Sequence, residues 1–291
     1  MAKKKRPSRK PAPRRKPPAR RIAAPPRTKR TTFPIYHIDA FTSRPLHGNP
    51  AAVVIVEKSW PDTELMQAIA VETGQPMTAF VLRGKGKKFA LRWFNALREF
   101  ELCGHATLAA AHVLHTHLNV KGAITFTTAS GDLPVTRDQD RYVLTMRARP
   151  PVRVRTTNEI CAALGREPDE LHAAGDRVLA VFDNKRAVHE LEPDMARLER
   201  LDARGIIVTA PAAGHDYVSR YFAPSLGLNE DHATGSAHAV LVPYWAKRLN
   251  KHHLAAHQVS HRAGEMWCEL DVDRVHIAGH AVTVGRGTIT V

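Results

Sequence analysis

The chain of 291 residues has only three cysteines, Cys103, Cys161 and Cys268, and they lie far apart. That excludes a disulfide framework and a paired-cysteine zinc module, and it suits a reducing compartment. No apolar run reaches the length needed to cross a bilayer, so no membrane partner is expected. The N-terminus has no apolar core of a secretory signal, and the expected location is the cytoplasm. Acidic residues are missing from residues 1–32, which hold fourteen Lys or Arg. The formal net charge is +15, and subtracting these fourteen leaves +1 for residues 33–291. Large apolar side chains are almost absent from the same segment. It cannot bury enough surface to offset its ordering entropy, so residues 1–32 read as a disordered, Pro-rich basic tail. Such a tail can hold nucleic acid or another polyanion by neutralising phosphates; a solubilising tail or an address signal has the same composition.

The rest of the chain is organised around Glu101-Leu102-Cys103-Gly104-His105-Ala106-Thr107 and the Ala-rich run that follows. Leu91–Phe94 is rich in strand formers, and Arg98–Leu102 alternates polar and apolar residues. The run after Thr107 has no breaker for a dozen residues and favours a helix. Cys103-Gly104-His105 therefore sits where a strand turns into a helix. Glycine admits a ligand close to the backbone, and the free N–H groups of a helix start attract an anion. A packed Cys and a capping His would also account for the same residues. A second turn, Asp231-His232-Ala233-Thr234-Gly235-Ser236, opens into another small-residue helix, expected over His238–Leu249. His-Ala-Thr occurs at 105–107 and again at 232–234. Strand, polar glycine turn and helix thus recur, which suggests an internal duplication. The halves are expected to meet near Pro150-Pro151. Two such helix starts facing each other would make a cleft for an anionic substrate.

Ile38-Asp39-Ala40-Phe41-Thr42, Gly48-Asn49-Pro50-Ala51-Ala52-Val53, Leu102–Thr107, Ala233-Thr234-Gly235-Ser236-Ala237-His238 and the closing Gly279–Val284 occur in that order. Together they resemble the phenazine-biosynthesis isomerase (PhzF-like) family from about Tyr36 to the C-terminus. The resemblance implies an α+β fold of the diaminopimelate epimerase type. It has two pseudo-symmetric halves, each a β-barrel-like sheet around a central helix, here residues 33–150 and 151–291. It also implies a homodimer and a proton transfer at carbon with no cofactor. By motif match, His105 and Asp231 handle protons, while Asn49, Gly104, Thr234, Gly235 and Ser236 hold a small carboxylate. The catalytic acid/base of the family is a Glu in Asn-Leu-Ser-Glu-Thr-Ala-Phe, and Met77 stands in its place here. Cys103 matches one of the two catalytic cysteines of the epimerase; His232 stands where the other would be.

Seventeen histidines invite a metal, with His253 and His257 at helical spacing and His112, His115 and His117 clustered. No carboxylate or thiol completes a ligand set, so no metal is expected. Two functions from different classes remain. One is a cofactor-independent isomerase or epimerase of a small carboxylate, altered by the Glu-to-Met replacement. The other is a catalytically inactive binding protein with a polyanion-binding tail.

Overall fold

The computed structural model describes residues 30–84 and 88–291; residues 1–29 of the expected basic tail and residues 85–87 lie outside the described residues. The expected tail boundary at residue 32 is too late. Thr31 exchanges two backbone hydrogen bonds with Val291, and Thr32 opens a strand paired with Thr290. β-branched threonines suit that extended ladder, although their neighbours upstream are Lys, Arg and Pro.

The strands form two successive series. The first runs Ala281–Thr290, Thr32–Ala40, Asn49–Val56, Thr78–Arg83, Lys88–Phe94, Ile124–Thr128, Gly131–Asp138 and Arg141–Arg147. Neighbours along it are antiparallel, antiparallel, parallel, antiparallel, parallel, antiparallel and antiparallel. The second runs Val152–Val154, Glu170–Ala174, Arg177–Val181, Gly205–Ala212, His215–Ala223, His253–Gln258, Gly264–Asp271 and Arg274–Gly279. Its neighbours follow the same order of orientations. Arg141–Arg147 and Arg274–Gly279 pair antiparallel and join the two series. The chain therefore does not divide cleanly in space at residue 150, because its last strand completes the first series. Burial drives this crossing: Phe33, Ile35 and Ile289 share one apolar cluster.

The first central helix, Gly104–Thr116, is buried from Gly104 through His115. Its alanines let strands approach from every side, and apolar residues all round a helix are the mark of one inside a core. The second, His238–Leu249, follows a single 3-10 turn at Gly235–Ala237 and buries Val240, Leu241, Val242 and Trp245. Both start close to the expected positions. Two short helices, Lys185–His189 and Met195–Glu199, connect the strands Arg177–Val181 and Gly205–Ala212. Each starts at a side-chain cap: Asn184 accepts from Ala187 N–H and Asp194 accepts from Arg197 N–H. His253 and His257 lie on a strand, not on a helix.

Phe41 sits where the two series meet, with φ of 62° and its side chain fully buried. Its N–H donates to His280 O, and its carbonyl accepts from Glu265 N–H. Gly235, Gly264 and Gly279 surround it, and a Cβ on Gly279 would collide with its ring.

His112 and His238 are buried on the two central helices. His238 accepts or donates at Nδ1 with Tyr217 Oη at 2.7 Å, and burial lowers its pKa to about 3. His112 bonds Tyr142 and Thr283, and burial, with nearby His117, lowers its pKa to about 4. A lowered folded pKa means that the unfolded chain takes up protons first as pH falls. Both histidines therefore support the fold above their ordinary pKa, near 6.5, and this support fades as pH drops toward their folded values. Each contributes a slope of at most about 1.4 kcal/mol per pH unit in that window. Denaturant melts at pH 7, 6 and 5 should show stability falling across this range, before carboxylates titrate. His238→Asn should flatten the slope, because it removes one titrating group; an unchanged slope would show that His238 is not its source.

Candidate active site

The two central helices point their starts at one another. A Cβ on Gly104 would lie 3.6 Å from Gly235 Cα and 3.6 Å from Ser236 N, so the two turns touch through their glycines. Those are ordinary van der Waals distances, so the two helix starts pack directly against each other. Both starts, whose first-turn N–H groups are the donors a helix end offers, border one space. That space is a cleft of about 430 Å³ lined by Met77, Cys103, Gly104, His105 and, from the other side, Asp231, Thr234, Gly235 and Ser236. Eight of the nine residues singled out for the site from sequence thus border one cleft. The ninth, Asn49, does not.

Asn49 is fully buried behind the cleft wall. Its Nδ2 donates to Asp231 Oδ1 at 2.7 Å and to the Ala233 carbonyl at 2.8 Å. Thr234 Oγ1 donates to the other oxygen, Asp231 Oδ2, at 2.6 Å. Asn49 and Thr234 therefore fix the Asp231 carboxylate in orientation. Asn49 is itself held by its loop: Arg262 donates to Asp39 Oδ1 and to the His47 and Gly48 carbonyls. Gln258, which is not among the site residues expected from sequence, locks the same turn. Its Oε1 accepts from Thr234 N–H at 2.7 Å, and its Nε2 donates to the Asp231 carbonyl at 2.5 Å.

On the opposite wall, Cys103 Sγ lies 3.4 Å from His105 Nδ1. Burial pushes the Cys103 thiol well up, and the Ala106 N–H at the helix start offsets this only in part, so the group is a neutral thiol. Burial lowers the pKa of His105, with Asp231 opposing the shift; the ring is neutral at pH 7. His232 does not border the cleft, so a Cys103–His232 pair acting on two faces of one carbon does not form. The Asp231-to-Thr234 turn directs residue 231 inward and leaves His232 half-buried beside it.

Met77 is buried against the cleft, its carbonyl bonded by Ala52 N–H. Its thioether gives the wall an apolar patch with no exchangeable proton. Leu97 and Gly227 close one end: a Cβ on Gly227 would lie 2.5 Å from Leu97 Cδ1. Arg177, Arg204 and Tyr221 also border the space, and no local motif marked them. They lie on strands and turns of the second series, where ordinary alternation conceals which side chains face the cleft. Among the described residues there is no group of three or more His, Cys, Asp or Glu that could hold a metal.

Comparison with known proteins fits this geometry. The family model described as phenazine biosynthesis-like protein matches residues 38–287. A Pseudomonas aeruginosa protein named as an uncharacterized isomerase is 48% identical, over 87% of this chain and 97% of its own. A crystal structure of a phenazine biosynthesis protein of the PhzF family from Enterococcus faecalis is 42% identical, with TM-score 0.86, and covers 89% of this chain and 99% of its own. A hydroxyproline epimerase from Agrobacterium vitis shares the fold alone, at 10% identity and TM-score 0.60, over 89% of this chain and 93% of its own. Because the matched region runs through both central helices and both glycine turns, the chain belongs to the phenazine biosynthesis-like protein family.

Proposed function

We propose that this protein is a cofactor-independent isomerase or epimerase that moves a proton on a small carboxylate. The observation that carries this reading is the contact between the two helix starts, with His105 on one wall and Asp231 on the other. The substrate carboxylate lies against the N–H groups of the Gly104 and Gly235 turns, with the Ser236 hydroxyl as a further donor. Those donors also stabilise the enolate-like charge that develops when the neighbouring carbon loses its proton. His105 is the base. In the tautomer whose Nδ1–H faces the Cys103 sulfur, Nε2 has the free lone pair and takes the proton. The electron pair left behind spreads into the carboxylate. Asp231 favours the charged ring and is the second proton-handling group. Return of the proton to another position or face completes the isomerisation. The matching order of pairings in the two strand series supports two pseudo-symmetric halves, with the cleft at their junction.

A base with a lowered pKa stays active to lower pH than a free imidazole. The acid limb of the kcat/KM profile should therefore fall below pH 6.5, the ordinary imidazole value. An acid limb above that value would remove neutral His105 as the base.

One observation favours a second reading: the cleft position expected to hold the family's Glu is occupied by the non-ionisable Met77. On that reading the cleft binds a carboxylate without turning it over, and the basic residues upstream of Arg30 tether the protein to a polyanion.

A further inference from the structure

Past Leu102, Ser130 and Ser236 the cleft continues into a side chamber of about 240 Å³. Leu102, Ser130, Arg149, Arg177 and Ser236 border both spaces. Three arginines, Arg147, Arg149 and Arg177, line the chamber with one acidic residue, Asp132. Arg149 has a single ion pair, 3.5 Å to Asp176, with both side chains about half exposed. Arg147 has no ion pair among the described residues, and its strand partner is another cation, Arg274. Arg177 spans the passage between the two spaces. It donates to the Ser236 carbonyl at 2.6 Å and to Ser236 Oγ at 3.0 Å, while its Nε is buried without a partner. Since Ser236 Oγ accepts from Arg177, its own proton is left for another acceptor.

Like charges converging on a hollow repel one another, and an anion in the hollow relieves that repulsion. Guanidinium forks also fit the planar or tetrahedral oxygens of a carboxylate or phosphate. We propose that the side chamber is a second anion subsite, formed by Arg147 and Arg149, and that the ligand of this cleft carries two acidic groups. One is the carboxylate at the Gly104 and Gly235 turns; the other is a carboxylate or phosphate in the chamber. This inference rests on the assignment of the first carboxylate under the proposed function.

Calorimetric titration tests it with matched probes. Succinate, glutarate and adipate are compared with butyrate, pentanoate and hexanoate, and 4-phosphonobutyrate supplies the phosphate-like arm. Wild type should bind at least one two-headed probe about tenfold or more tightly than the monocarboxylate of equal length, as expected for one added charged contact. A better 4-phosphonobutyrate than glutarate would identify the second group as phosphate, and the reverse as carboxylate. Arg147→Gln should reduce the advantage without changing monocarboxylate affinity, and Arg147→Gln with Arg149→Gln should abolish it. Both side chains are exposed, and an unchanged melting temperature would establish that the variants fold. Equal binding of one- and two-headed probes, or an advantage surviving in the double variant, overturns the subsite. Binding of no probe at all would instead overturn the helix-start carboxylate site, and with it the two-headed ligand.

Discussion

His105→Asn is expected to lower kcat/KM about 10²–10⁴-fold on whichever carboxylate the wild type turns over, the usual cost of losing a positioned general base. Asparagine keeps a polar group of similar size at the helix start but cannot take up a proton at neutral pH. KM should change little, because the N–H groups of Gly104 and Gly235 remain. His105 is buried with its ring against Cys103 Sγ, so the folded state of the variant must be checked by its melting temperature. Asp231→Asn offers a second view. The Asp231 carboxylate accepts from Asn49 Nδ2 and Thr234 Oγ1, and the amide nitrogen introduced by the substitution would meet one of those donors. That variant should lose activity and some stability together. A His105→Asn variant retaining full kcat/KM would move the base to another residue.

The other large effect is expected from Met77→Glu. Met77 borders the same cleft as His105 and Asp231, so a carboxylate there would restore the arrangement implied by the resemblance to the phenazine isomerases. Wild type should turn over dihydro-hydroxyanthranilate, the phenazine precursor of that family, weakly or not at all. Met77→Glu should add a carboxyl with a raised pKa, because the position is buried and the wall apolar, and such a group can both take and return a proton. The gain on that substrate should approach the roughly 10²–10⁴-fold that one acid/base supplies. Product formation by wild type and by Met77→Glu is the measurement. Strong wild-type turnover, unchanged by Met77→Ala, would show that position 77 has no bearing on this chemistry. No gain in a folded, ligand-binding Met77→Glu would mean that the cleft is shaped for a different substrate.

Much of the site was legible because its chemistry is local. Cys103-Gly104-His105 and Thr234-Gly235-Ser236 each lie within one strand-to-helix turn, where small residues and a helix start are visible in a few positions. Their meeting through Gly104 and Gly235 followed from reading the turns as repeats. What was not legible depends on contacts distant in sequence. The role of Asn49 is fixed by a partner at position 231, and that of Gln258 by the turn at 231–234. Arg177 reaches Ser236 from another strand. The last strand pairs with the first, so composition alone placed residues 31 and 32 in the tail when they belong to a ladder closed by residues 290 and 291. Arg98–Leu102 alternates as a strand should, yet only Glu99–Phe100 pairs; Asn95 Oδ1 instead captures the Leu97 and Arg98 N–H groups and turns the chain.

Protons are expected to exchange at carbon in the cleft between the two helix starts. Incubation in D₂O with small mono- and dicarboxylates, followed by proton NMR, tests it most directly. The C–H signal beside the carboxylate of at least one bound compound should be lost, and the loss should be abolished in His105→Asn. Carboxylates that bind in the cleft but never exchange a carbon-bound proton would contradict it and leave a binding protein in its place.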